Sequence, residues 1–245
     1  MSSATMVLQP PSPSADFIND MEQDCDYMLD EFDSAMGEST EPVAELIFDW
    51  DDTLLPSTWL ASQGFRLDFP AELPQDIILA LSEHDQHVYK VLQKAMTFGN
   101  VVIITNAERG WVEMSAARFM PTTQLLLSEI TVISARSNYE PEFPDDPLNW
   151  KISAFRAQIE DFDGQTSPST EKNIISFGDS VHERDAIQHV GNDMLNTFVK
   201  SVKFVERPTL DQLQREVALL NNCMDYVCNC RSNLDLMLTI ELLYE

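Results

Sequence analysis

The chain has 245 residues, 44% of them hydrophobic, and a formal net charge of −26. This length and composition suit one globular domain with its own apolar core. Only 15 Lys and Arg residues are present, too few for the basic surface that nucleic-acid binding requires, so we expect no nucleic-acid partner.

The apolar runs of the sequence are short. VVII at 101–104 falls far below the roughly 20 residues that span a bilayer, which predicts no membrane partner. The N-terminal residues lack the positive start and apolar core of a signal peptide, so we expect an intracellular, cytoplasmic protein, with the nucleus as the alternative. Four cysteines are too few for a disulfide framework and are interpreted as structural: Cys25, Cys223, Cys228 and Cys230.

The first 42 residues differ in composition from the rest of the chain. They contain ten acidic side chains and no Lys or Arg, interspersed with apolar residues such as Phe17, Tyr27 and Phe32. This mixture is too polar for a core, and we predict that residues 1–42 form an acidic, disordered tail. A short amphipathic helix that docks on a protein partner is the alternative.

From residue 43 onward, short apolar runs alternate with longer helical stretches. In chain order we predict a strand at 43–50, a helix at 74–100, a strand at 101–106, a helix at 108–120, a strand at 130–135, a helix at 148–162, strands at 173–179 and 201–206, and helix over the last forty residues. Continuous apolar strands alternating with helices predict a parallel sheet covered on both faces. We therefore expect an α/β fold of three α/β/α layers and about five strands, with a core at 43–208 and a packed helical extension at 209–245.

Polar side chains follow several of the predicted strands. In open parallel sheets, ligands bind beyond the carboxyl ends of the strands, so these side chains are expected to converge at one edge. They are Asp49 and Asp51 after the first strand, Thr105 and Asn106 after the second, Asp179 after the fourth, and Lys151 near the start of the preceding helix.

Three aspartates crowd into the segment FDWDD. Because side chains of an extended segment alternate between its two sides, Asp49 and Asp51 share one side while Trp50 and Asp52 take the other. Asp49 and Asp51 are thus predicted to act together, and Asp52 to have a structural role in the following turn.

The carboxylates of Asp49, Asp51 and Asp179 together predict a hard oxygen site of the kind that Mg²⁺ prefers. A cation there would offset the repulsion among the aspartates. Glu183 and Asp185 both follow Asp179 closely, and either is a candidate to orient this site or hold a coordinating water.

A tetrahedral anion needs donors beside that metal site. The Thr105 hydroxyl, the backbone around Asn106 and the Lys151 ammonium are candidates to bind a phosphate group. Arg136, which follows the third predicted strand, is a candidate for contact with another part of a substrate.

These motifs resemble those of the haloacid dehalogenase superfamily. DWDDT fits its first motif, DxDxT; VVIITN is similar to its second, Lys151 to its third and FGDSVHERD to its fourth, in the same order along residues 45–185. The longer segments DWDDTLLP and GWVE are similar to those of a group of protist proteins in this superfamily.

The resemblance implies a three-layer Rossmann-like fold and a phosphomonoesterase mechanism. Asp49 would be the nucleophile that forms an aspartyl-phosphate, and Asp51 the acid and base. Mg²⁺ would be held by the Asp49 carboxylate, the Asp51 backbone carbonyl and Asp179. Thr105 and Lys151 would stabilise the phosphoryl oxygens.

The segments between the motifs are too short for a large cap domain, which predicts an open site. By analogy with capless relatives, we expect a phosphorylated substrate, either a small molecule or a phosphoprotein. The alternative is a catalytically weak or inactive relative that acts as a protein-interaction module through its acidic tail.

Overall fold

The computed structural model describes residues 43–68, 72–191 and 194–244. The predicted acidic tail at 1–42 lies outside these residues. The described residues form six strands in one parallel sheet: β1 (Val43–Phe48), β2 (Gly99–Thr105), β3 (Thr131–Ser134), β4 (Lys172–Gly178), β5 (Thr197–Lys203) and β6 (Leu234–Met237).

Helices connect the strands. They are α1 (Ser57–Ser62), α2 (Gln75–Phe98), α3 (Trp111–Phe119), α4 (Ala135–Tyr139), α5 (Pro147–Gln165), α6 (Val181–Gly191) and α7 (Leu210–Asn229), with short 3-10 turns at Thr123–Leu126 and Glu241–Tyr244. The predicted α/β fold is therefore confirmed.

The strand order is β3-β2-β1-β4-β5-β6, so successive crossovers run outward from the centre in opposite directions. The direction changes between β1 and β4, which leaves a crevice beyond their carboxyl ends. Below this crevice, Phe48 of β1 and Phe177 of β4 stack with ring centroids 4.4 Å apart. The Asp49 amide donates to the Phe177 carbonyl at 2.8 Å, which continues the pairing of the two strands up to the site.

Two apolar layers cover the sheet. Leu46 and Phe48 of β1 face the layer that contains α2, α3 and α7, whereas Ile47 faces the layer that contains α5 and α6. This alternation buries both faces of β1, because neighbouring side chains of a strand point in opposite directions. The fold thus has the three predicted layers.

The end of the chain differs from the prediction. Helix α7 stops at Asn229, and residues Leu234–Met237 form β6 beside β5, which gives the sheet a sixth strand where about five were expected. Strand β5 also begins at Thr197, four residues before the predicted start at 201. A four-residue edge strand with half-buried and exposed positions leaves too short a pattern to be separated from a helix.

No large cap domain was expected, and the described segments between the motifs agree. Between β1 and β2 the described residues form α1 and α2, and between β2 and α5 they form α3, a 3-10 turn, β3 and α4. These elements belong to the same compact unit as the sheet. Within residues 43–68, 72–191 and 194–244, no helix combines the length and apolar character needed to cross a membrane.

A buried histidine links α2 to the loop after β1. The Nε2 atom of His84 lies 2.7 Å from the Leu54 carbonyl and donates to it, while the side chain is fully buried. Burial lowers the pKa of His84 from 6.5 to about 4, although the Leu54 carbonyl acts in the opposite direction. The ring is therefore neutral in the folded protein at physiological pH.

This histidine makes stability depend on pH. Because its pKa is lower in the folded state, the unfolded chain binds the extra proton, so its contribution is complete above pH 6.5 and is lost as pH falls toward 4. Urea unfolding at pH 7 and pH 5 should show that the wild type loses about 2 kcal/mol more stability than His84→Gln, which cannot titrate. Equal losses in the two proteins would show that His84 is not the titrating group.

Candidate functional site

The polar residues that follow the strands do converge at one edge of the sheet. They line a cavity of about 320 Å³ beyond the carboxyl ends of β1, β2 and β4, which we call the polar cavity. Its described lining includes most of the predicted residues, namely Asp49, Asp51, Thr105, Asn106, Lys151, Asp179 and Glu183. The topology thus assembles groups from distant parts of the chain.

Lys151 lies at the centre of this arrangement and is 1% exposed. Its Nζ atom donates to Asp49 Oδ1 at 2.6 Å, to the Ile104 carbonyl at 2.7 Å and to Glu183 Oε1 at 2.8 Å. Burial alone would lower the pKa of Lys151, but the charges of Asp49 and Glu183 raise it above its ordinary value. The ammonium therefore stays charged, with its three hydrogens directed at three acceptors.

Helix α5 places Lys151 at this point. The helix begins at Pro147, where the fixed φ of proline suits the first turn, and the Asp146 carboxylate caps it by accepting from the Asn149 amide at 3.1 Å. Lys151 follows one turn later, where its ammonium lies against the carboxylates of Asp49 and Glu183.

Glu183 has the opposite relation to its helix. It lies in the first turn of α6, where the dipole favours a negative charge, and its Oε2 accepts from the Ser180 amide at 3.1 Å. Burial raises the pKa of Glu183, but Lys151 and the Ser180 amide outweigh this and lower it. A β-carbon on Gly178 would come within 2.5 Å of Glu183 Cγ, so glycine is required for this close approach.

Asp51 is held by donors from outside its own segment. The Trp111 indole donates to Asp51 Oδ1 at 2.9 Å, and the Thr105 hydroxyl makes a longer contact of 3.4 Å with Oδ2. Thr105 also accepts from the Ala107 amide at 2.9 Å, which shapes the turn after β2. Burial raises the pKa of Asp51, while the Trp111 bond lowers it in part. This carboxyl therefore favours the protonated form more than an exposed aspartate does.

Asp52 and Thr53 stabilise the loop after β1. Asp52 also lines the polar cavity beside Asp49 and Asp51, so the prediction that it takes the opposite side is wrong, because its φ of 54° shows that the chain is no longer extended there. Asp52 Oδ1 accepts from the Thr58 amide at 2.9 Å, so it caps the start of α1, which agrees with the structural role predicted for it. The Thr53 hydroxyl accepts from the Asp179 amide at 2.9 Å. That bond joins the loop after β1 to the loop after β4.

Three carboxylates lie close enough to share a cation. Asp49, Asp179 and Glu183 each offer an oxygen, and these oxygens lie within 4.8 Å of one another. Burial, together with the charges of Glu183 and Asp52, raises the pKa of Asp179 to about 7. Burial likewise raises the pKa of Asp49, with opposition from Lys151 and reinforcement from Glu183 and Asp51. Buried oxygen donors with surplus negative charge fit a hard divalent cation such as Mg²⁺.

The remaining predicted residues are placed less centrally. Asp185, the alternative to Glu183, has a side chain that is 49% exposed and pairs with Arg184, so Glu183 is the acid that the fold brings to the site. Arg136 pairs with Glu140 and is absent from the described cavity lining. The Asn106 side chain lines the cavity but donates to the Pro147 carbonyl at 3.1 Å, which ties the turn after β2 to the start of α5.

Two residues of the site were not singled out from the sequence. Trp111 belongs to the GWVE segment, but it reaches Asp51 from α3 through a contact between residues sixty positions apart, which no local pattern indicates. Thr53 is the last residue of the DWDDT motif, and its position in that motif is the signal that could have identified it. His182 belongs to the fourth motif, which made it a candidate to reach a substrate; it lines the cavity, and its amide donates to the Ser180 hydroxyl at 2.9 Å.

No protein-family model matches the chain, and no curated protein or solved structure matches it either. The resemblance of its motifs to the haloacid dehalogenase superfamily therefore stays a prediction. The function has to be argued from the geometry and chemistry of the site itself.

The acidic site predicts that Mg²⁺ stabilises the fold. At concentrations about a hundred times its Kd, Mg²⁺ should raise the melting temperature of the wild type by about 5–10 °C, measured by differential scanning fluorimetry and reversed with EDTA. Asp179→Asn should lose most of this shift, because one of the clustered carboxylates is removed.

Asp185→Asn is the matched control for this measurement. It makes the same chemical change at an exposed acid of α6 and should keep the full shift. If Asp179→Asn and the wild type responded equally to Mg²⁺, the cation would bind elsewhere on this acidic chain.

Proposed function

We propose that the chain is a Mg²⁺-dependent phosphomonoester hydrolase that works through an aspartyl-phosphate intermediate. The observation that carries this proposal is the Asp49 carboxylate, which buried Lys151 holds near the Asp179 carboxylate in a cavity that Asp51 also lines. The resemblance of the four motifs to the haloacid dehalogenase superfamily supports the same reaction. A phosphorylated small molecule or protein side chain is the expected substrate.

Asp49 has the attributes of the nucleophile. Lys151 holds its Oδ1, and the strand end holds its backbone, so the carboxylate has a fixed direction toward the cavity. Attack of a carboxylate oxygen on phosphorus would form the Asp49–phosphate bond as the bond to the alcohol oxygen breaks. Positioning of this kind supplies a large part of the rate enhancement in phosphoryl transfer.

Asp51 has the attributes of the acid and base. Its carboxyl lines the same cavity two residues from Asp49, and burial raises its pKa toward the range in which a carboxyl can donate a proton. It would protonate the departing alcohol oxygen. It would then accept a proton from the water that cleaves the aspartyl-phosphate, which releases inorganic phosphate and restores both carboxyl groups.

Positive charge and hydrogen-bond donors must meet the phosphoryl oxygens. The Thr105 hydroxyl and the backbone at Asn106 and Ala107 border the cavity, while Lys151, whose three hydrogens are directed at protein acceptors, would contribute its positive charge through Asp49. Asp49, Asp179 and the Asp51 carbonyl would hold Mg²⁺, which supplies charge neutralisation between the carboxylates and the phosphate. Glu183 would orient Lys151 and the Ser180 amide, because both of its oxygens already accept hydrogen bonds.

The reaction is tested with para-nitrophenyl phosphate. The purified protein should release para-nitrophenol with Mg²⁺ and stop when EDTA is added. Asp49→Asn should lower kcat by more than about a thousandfold, because the amide cannot form the acyl phosphate. Circular dichroism should show an unchanged fold.

Asp185→Asn again supplies the control, since it removes an exposed acid outside the cavity and should turn over at the wild-type rate. Wild-type turnover by Asp49→Asn would show that another group attacks phosphorus.

A further inference from the structure

A second, larger cavity adjoins the site. It has a volume of about 700 Å³ and shares Asp51 with the polar cavity. Its walls come from α1, the segment 65–68 and α3. Asp51 therefore stands at the boundary between two spaces of different character.

The lining of the larger cavity is mostly apolar. Its apolar side chains include Leu55, Leu60, Phe65, Leu67, Trp111 and Met114. Phe65 and Leu67 are half-buried and Met114 is 58% exposed, so apolar surface remains open to solvent here. Open apolar surface next to a polar site is typical of ligand-binding clefts.

The charged residues of this cavity also indicate an uncharged ligand group. Three of the described lining residues are charged, and two of them, Arg66 and Asp68, form an ion pair with each other at 3.0 Å. Asp51 is the third, and it also lines the polar cavity. The cavity thus presents apolar walls and a balanced outer charge pair, which suits a group that carries no charge of its own.

The geometry of the proposed displacement places the departing alcohol next to the larger cavity. In an in-line displacement the departing oxygen lies opposite the nucleophile, and the acid that protonates it must be within hydrogen-bond reach. If Asp49 attacks and Asp51 protonates, the alcohol begins at Asp51. The alcohol then continues away from Asp49, into the larger cavity that Asp51 borders.

We infer that this cavity binds the alcohol portion of the substrate, and that the substrate is a small phosphomonoester of an apolar alcohol. This inference rests on the proposed hydrolase function, and it specifies the class of substrate. Trp111 serves both parts of the site, since its indole donates to Asp51 and its ring lines the apolar wall.

Primary alkyl phosphates of increasing length test the inference directly. Ethyl, butyl and hexyl phosphate have nearly the same leaving-group chemistry and differ only in apolar length. The kcat/KM for phosphate release should rise by about threefold to fourfold for each methylene that is buried. A flat series with Mg²⁺-dependent turnover would overturn the apolar subsite and leave the hydrolase intact.

Two methionines provide matched variants. Met114 lines the cavity and Met237 lies in β6, and both are 58% exposed, so a new charge should be tolerated at either position. Met114→Glu should lower the ratio of hexyl to ethyl phosphate kcat/KM by about tenfold, while Met237→Glu should keep the wild-type ratio. Equal ratios in both variants would place the alkyl chain elsewhere.

A binding measurement separates the subsite from catalysis. Hexylphosphonate and methylphosphonate cannot be hydrolysed, and calorimetry on the Mg²⁺-loaded wild type should show at least tenfold tighter binding of the hexyl compound. Equal affinities would overturn the subsite whatever the turnover. Tighter binding of hexylphosphonate without turnover of any ester would retain the subsite and overturn the hydrolase.

Discussion

The buried ammonium of Lys151 is the interaction on which the rest of the site depends. It joins the residue after β1, a carbonyl of β2 and the first turn of α6 through Asp49, Ile104 and Glu183. A buried charge without partners is strongly unfavourable, and removal of one member of such a cluster costs about 3–5 kcal/mol. The same three contacts that satisfy the lysine therefore fix the relative positions of the two strands and the helix.

The ammonium of Lys151 does not balance the negative charge of the site. Asp51, Asp52 and Asp179 add three further carboxylates to the described cavity lining, and burial raises the pKa of Asp51 and of Asp179. The fold thus holds more negative charge at this edge than its lysine can balance. Such a site favours a divalent cation, and an anion can approach only where donors and that cation offset the surrounding acids. Local geometry would then overcome the long-range repulsion that a net charge of −26 exerts on phosphorylated molecules.

Much of this arrangement could be predicted from sequence because two simple periodicities govern it. Continuous apolar runs such as VVIITN marked the strands, and the polar residues after them had to meet at one edge of a parallel sheet. The choice between Glu183 and Asp185 could not be made that way. It depends on which side of α6 faces the sheet, and on the space that Gly178 leaves for the Glu183 side chain.

Other features were set by contacts that sequence patterns do not encode. Trp111 reaches Asp51 only because α3 packs over the end of β1, and the short helix α1 is capped by Asp52 from outside its own turn. Strand β6 forms because β5 offers an edge to pair with, although its own four residues carry little strand signal. In each case the tertiary environment, rather than the local pattern, decides the outcome.

The order of elements along the chain has a consequence for synthesis. The described residues that line the polar cavity lie between positions 49 and 183. The ribosome synthesises β5, α7 and β6 after them. A nascent chain that has just completed Glu183 holds every acid of the described cavity lining, but β4 still has an open edge, and the apolar cluster that contains Phe177 still lacks the residues of α7 such as Val217 and Leu220. Strand β5, which pairs with β4, and helix α7, which completes the apolar layer under the site, are therefore made after all the acids in the described lining of that cavity.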